Sequence, residues 1–179
     1  MTVLAIIGMI VLAYGAACIP PFLIMRWLYH SKRVVALAMP RSKFIYYLLS
    51  FTWGLPMNII GAIVALVLTI AGCRAEKHGW NYWFRLPINF GLELGIFFLA
   101  PKQASEHTKN HEHGHSIQNI YFGPFTIGMV SIPSAIRFWY REIKQKLGGK
   151  IKTKYDDAWF EGQATKSGNE FMEREKREE

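Results

Sequence analysis

His111-Glu112-His113-Gly114-His115 fits the pattern H-E-x-x-H. On a helix, His111 and His115 fall one turn apart on one face, so both imidazoles reach a single zinc ion while Glu112 lies beside it. That is the geometry of a zinc hydrolase with Glu112 as general base. Ser105 is a good N-cap, which predicts a helix from Glu106 through the pentapeptide to about Asn119. The helix is strongly polar at its start and cannot sit free in lipid, so it is expected at a membrane surface or in a water-accessible cavity. His113 points off the ligand face and is expected at the edge of the site or in solvent. The four histidines within residues 107–115 also have a plainer reading, as a solvated, weakly metal-binding tract.

Catalytic zinc takes three protein ligands and leaves a position open for water, so the pentapeptide lacks one ligand. No histidine follows His115, which excludes the all-histidine arrangement. The downstream acids before the last eleven residues are Glu142, Asp156, Asp157 and Glu161. Glu161 is the best candidate, because it follows Ala158, Trp159 and Phe160, where an unpaired carboxylate would be costly to bury. An ordinary carboxylate paired with a lysine is the rival reading. Asp157 lies one turn earlier on the same face and is placed to hold a ligating histidine through its second ring nitrogen. Gly162 and Ala164 would allow this helix close approach to the first. The residue that would stabilise an oxyanion stays open among Tyr121, Tyr140 and Tyr155.

Around this centre, residues 73–86 are aromatic and modestly basic and read as an interfacial segment. Residues 92–99 read as a buried or re-entrant strand. Glu93 within it is expected to be structural and satisfied by Arg85, or, if near the site, to bind a substrate amine. Residues 121–140 are apolar but interrupted by Gly123, Pro124, Gly128 and Pro133, which predicts a short membrane-dipping hairpin. A basic stretch follows, from Arg137 to Lys154, with only Glu142 in opposition. Asp156 is expected to cap the Glu161 helix, with Gly168 as its stop and residues 169–179 as a charged flexible tail, either a frayed helix or disordered.

The chain of 179 residues is 51% hydrophobic and 15% aromatic, more than a small water-soluble core needs. The excess lies in two uncharged runs, residues 2–25 and 44–72, separated by a loop carrying Arg26, Lys32, Arg33, Arg41 and Lys43. Two transmembrane helices with a cytoplasmic basic loop are expected, Pro20, Pro21 and Pro56 marking kinks or an early end. A secretory signal is a poor fit, because residues 2–25 lack a basic start and are followed by a basic loop. With residues 26–43 and 137–154 both cytoplasmic, the chain is expected to re-cross the membrane between about residues 80 and 100, the alternative being that residues 121–140 are a true span with the site buried partway. The net charge of +8 comes without any nucleic-acid recognition pattern, and Cys18 and Cys73 form no disulfide framework. The fold class expected is a mainly α membrane protein: a hairpin over 1–72, a zincin-like membrane-interface part over 73–168 with a short strand and broken apolar helices, and the tail.

The run from His111 to Asn119, then Phe122-Gly123-Pro124, Ile132-Pro133-Ser134 and Trp159-Phe160-Glu161-Gly162-Gln163-Ala164, resembles a group of uncharacterised bacterial multi-pass membrane proteins. Those carry H-E-x-G-H followed by Gln, a Gly-Pro pair, an Ile-Pro-Ser segment and a Trp-x-Glu helix, and the resemblance covers residues 91–168. More widely it is similar to the gluzincin type of metallopeptidase. The resemblance implies zinc on His111, His115 and Glu161, Glu112 as general base, and an extended peptide bound along the strand at 92–99. The protein expected is a zinc-dependent hydrolase of the bacterial inner membrane, with lipid bilayer and a peptide or protein substrate as partners and the site facing the cytoplasm. The alternative is a metal-binding membrane protein with a sensor or interaction role.

Overall fold

The computed structural model describes residues 2–178, a mainly helical chain with one small sheet. Helix α1, Val3–His30, starts where the Thr2 hydroxyl accepts the Ala5 N–H and runs unbroken through Pro20 and Pro21. Among the described residues it is the one helix long and apolar enough by itself to cross a membrane, and residues 3–13 are exposed throughout. The second apolar run is two helices, α2 (Lys43–Phe51) and α3 (Leu55–Ile70), that meet at 91°. Pro56 therefore opens a helix instead of kinking one, at a position where its missing N–H has no helical partner to lose. Buried Asn58 fixes the corner. Its amide donates to the carbonyls of Ser50 and Gly54 at 2.8 and 3.0 Å, and its Oδ1 accepts the Ile96 N–H at 2.8 Å.

Residues 73–101 form a sheet, not an interfacial segment followed by one strand. β1 (Ala75–His78) and β2 (Asn81–Leu86) pair as an antiparallel hairpin through Gly79 at φ 56°. β3 (Leu92–Leu94) and β4 (Phe97–Pro101) form another through Gly95 at φ 76°. β2 and β4 run parallel side by side, giving the order β1-β2-β4-β3 with β3 at an edge. The two glycines supply the left-handed turns that make hairpins of segments rich in strand-forming aromatics. The re-crossing expected between residues 80 and 100 is consequently absent, because those residues are strands.

α4, Glu106–Phe122, begins at Ser105, whose hydroxyl accepts the Thr108 N–H at 3.1 Å. The following apolar segment is no hairpin. A 3-10 turn (Gly123–Phe125) and a π-helical turn (Ile127–Ser131) lead into α5, Ile132–Lys146. Tyr14 of α1 closes this break: its hydroxyl donates to the Pro124 carbonyl at 2.7 Å and accepts the Gly128 N–H at 3.1 Å. A 3-10 turn at Tyr155–Asp157 precedes α6, Trp159–Glu178, which continues past the stop expected at Gly168. A Cβ at Gly168 would overlap the Asn110 carbonyl, and one at Gly114 would overlap the Ala164 carbonyl, so these glycines let α4 and α6 lie backbone against backbone. Residues 169–178 are thus helix, anchored by buried Phe171. One core cluster joins Leu37 and Tyr46 with Trp80, Ile96, Ile117, Ile120 and Phe171.

Candidate metal centre

The α4–α6 contact brings His111, His115 and Glu161 together. The two Nε2 atoms are 3.1 Å apart, and Glu161 Oε2 lies 3.1 Å from that of His111 and 3.3 Å from that of His115. Donors at zinc-ligand distances of about 2.0–2.1 Å in a tetrahedron are separated by about 3.3 Å, so the triangle has the size of one tetrahedral face. Glu161 is fully buried, and the side chains of His115 and His111 keep 8% and 12% of their surface open.

The ring orientation is fixed from behind. Gln118 donates its amide to the Phe160 carbonyl at 2.8 Å and to Gln163 Oε1 at 3.1 Å, which turns its Oε1 toward His115 Nδ1, also at 2.8 Å. That nitrogen must then be the donor, leaving Nε2 with its lone pair in the site. His111 Nδ1 lies 2.8 Å from Thr165 Oγ1. Two ring nitrogens and a carboxylate oxygen therefore converge with no hydrogen of their own required between them. Such a donor set takes either a proton or a cation. In its metal-free form, burial opposes charge on His115, but the bond and charge of Glu161 prevail and push its pKa up to about 9. Burial likewise opposes charge on Glu161, yet the two histidines hold its carboxyl far below the usual range.

Glu112 is buried next to this group, and burial raises its pKa, partly offset by His111 and His115. The backbone of Glu93 on β3 offsets a further part of that rise. A Cβ at Gly91 would displace the Glu112 carboxylate, so the glycine before β3 lets the edge strand and the Glu112 side chain lie this close. The group opens on a cavity of about 810 Å³, walled on one side by residues 89–93 and on the other by α5 and Tyr155. Glu93 faces the cavity with its Oε1 accepting the Gly95 N–H, and burial pushes its pKa up to about 8. It does not pair with Arg85, which binds Glu76 across the hairpin at 2.7 Å. Among the three tyrosines left open, only Tyr155 lines this cavity, its ring 6.2 Å from that of His111. The Tyr121 hydroxyl donates to the Ala38 carbonyl, and Tyr140 is exposed beside Lys144. Burial, then the charge of Glu161, raises the Tyr155 pKa.

Three expectations are corrected. Asp157 does not support a histidine, because its carboxylate accepts the Lys154 N–H at 2.8 Å within the 3-10 turn that precedes α6. Nor does Asp156 cap α6; it lies inside the same turn. His113 is neither peripheral nor wet: it is fully buried, stacked on Phe171 at 4.1 Å, and burial lowers its pKa to about 3. The residues that orient the site, Gln118 and Thr165, went unassigned in the sequence. They follow His115 by three positions and Glu161 by four, spacings that place each on its ligand's helix face. Compared with family models, curated proteins and solved structures, the chain matches none.

Proposed function

We propose that this chain is a membrane-embedded, zinc-dependent hydrolase, a peptidase that cleaves an extended peptide. The observation that carries this is the convergence of His111 Nε2, His115 Nε2 and Glu161 Oε2 on one tetrahedral face, with Glu112 beside it and the fourth direction open to a cavity. A closed structural site would take its fourth ligand from the protein. Zinc bound there would lower the pKa of a coordinated water to about 7 and polarise a substrate carbonyl. Glu112 accepts the proton of the attacking water and delivers it to the leaving amine; its raised pKa suits a group that must both take and give a proton. Tyr155 supplies a hydroxyl to the oxyanion from the opposite wall. The edge strand β3, beside Glu112, would offer backbone groups to an extended peptide.

α1 serves as the membrane anchor, in keeping with its length and exposure. Two contacts join the basic loop after α1 to α6: the Leu37 N–H donates to Ser167 Oγ at 2.8 Å, and Arg174 donates to the Pro40 carbonyl. Under the positive-inside rule this basic loop, and with it α6 and the site, would lie on the cytoplasmic side of a bacterial inner membrane.

Metal analysis and peptide hydrolysis by detergent-purified protein test this function. Wild type is expected to hold about one zinc per chain and to cleave a mixed peptide library. His111→Ala should lose both metal and cleavage, whereas Glu112→Gln should keep the metal and lose cleavage. Wild-type protein that takes up no zinc would sink the reading; full activity in Glu112→Gln would remove that residue from its role.

A further inference from the structure

Helix α5 has two unlike faces. Ile132, Ile136, Trp139, Tyr140, Ile143 and Leu147 form one stripe at helical spacing, each between 49% and 81% exposed. The opposite face, with Ser134, Phe138, Glu142 and Gln145, walls the cavity of the proposed site. No residue of α5 is buried. A continuous stripe of six large apolar side chains marks an interaction surface.

Charge indicates what covers it. Lys144 flanks the stripe on one side and Lys146 on the other, with Lys150 and Lys152 just beyond. The one acid of the helix, Glu142, is turned into the cavity. Apolar residues edged by cations fit an anionic lipid surface, with the long basic side chains reaching the head groups. A second copy of this chain would set these cations against themselves. The helix cannot cross the bilayer, since 15 residues span about 22 Å against a hydrocarbon core of about 30 Å and Arg137 and Arg141 lie mid-helix. Both arginines are also tied down, donating to the carbonyls of Tyr155, Lys154 and Thr153 at 2.6–3.1 Å.

We propose that α5 lies in the plane of an anionic bilayer surface, its apolar stripe among the upper acyl chains and its flanking cations on the lipid head groups. The proposal rests on the membrane part of the function above and is independent of the hydrolytic part. It brings the cavity that α5 walls to head-group level.

The test uses the full chain with Cys18→Ala and Cys73→Ala, carrying one environment-sensitive fluorophore at Ile143→Cys, Ile136→Cys, Lys150→Cys or Val11→Cys. The protein is reconstituted in vesicles of phosphatidylcholine with or without phosphatidylglycerol, containing lipid quenchers near the head group or at mid-chain. The labels at 136 and 143 are expected to emit blue-shifted and to be quenched most by the shallow quencher, more so with phosphatidylglycerol, while the label at 150 stays wet. Four results would each overturn the proposal: labels at 136 and 143 as wet as at 150, stronger quenching from mid-chain, no dependence on the anionic lipid, or dry labels that no lipid quencher reaches, as a protein partner would give. The label at Val11 separates the failures: if it too is wet, the membrane reading itself has failed.

Discussion

Gln118 decides which nitrogen of His115 faces the site, because its own amide hydrogens are committed to Phe160 and Gln163. Gln118→Ala frees the ring and is expected to weaken zinc binding by about 10–100-fold without removing a ligand, measured by competition with a chromophoric chelator. Proton and metal compete for the same Nε2, which sets the sign of a pH effect. The His115 pKa is raised to about 9, so its protonated form contributes to stability of the metal-free protein fully below its ordinary value near 6.5 and loses that contribution as pH rises through about 9. Zinc affinity should therefore rise about tenfold per pH unit across neutrality and level off near pH 9. Calorimetry in buffers of differing ionisation enthalpy should register about one proton released per zinc at pH 7. At this scale His111, Glu112, His115 and Glu161 could be named from spacing and from the cost of burying a lone acid. The partners Gln118 and Thr165 were reachable by the same helical periodicity but only orientation makes them matter, whereas Asp157 satisfied the periodicity and still turned to the nearer Lys154 N–H.

The α4–α6 pair carries the site, and its closeness depends on glycines. Adding a methyl at Gly114 drives it into the Ala164 carbonyl, backbone that cannot step aside as a flexible side chain would. Gly114→Ala should cost about 1–3 kcal/mol of stability and lower zinc affinity as well, whereas Gly15→Ala, where nothing lies within 4 Å, should stay within about 0.5 kcal/mol. Denaturant or thermal unfolding of the two variants in the same detergent checks the contrast. The start of α4 was legible because Ser105 caps locally, within three residues. The end of α6 was not. Gly168 has the chemistry of a helix stop, and only the passing α4 backbone shows that its missing side chain makes room for Asn110.

Across the whole molecule, the His111, His115 and Glu161 cluster joins α4 to α6, and α6 reaches back through Ser167 and Phe171 to the loop after α1 and to α2. Zinc should accordingly stabilise the fold as a unit, by about 4 kcal/mol at a thousandfold excess over Kd. Chelation should lower the thermal midpoint, and zinc should restore it in wild type but not in Glu161→Ala. What the sequence determined by itself were features whose causes lie within one or two turns: the apolar length of α1, the cap of α4, the two-histidine face and the unwelcome acid among Trp159 and Phe160. What only the tertiary structure decided depends on partners far along the chain. Residues 73–101 became a sheet because hairpins at Gly79 and Gly95 let β2 pair in parallel with β4. The second apolar run turned 91° because Asn58 bonds to Ile96. His111-Glu112-His113-Gly114-His115 is similarly divided: the spacing of its outer histidines is local, but what fills the space between them is set by Glu161, 46 residues beyond His115, and His113 is dry because Phe171 stacks on it.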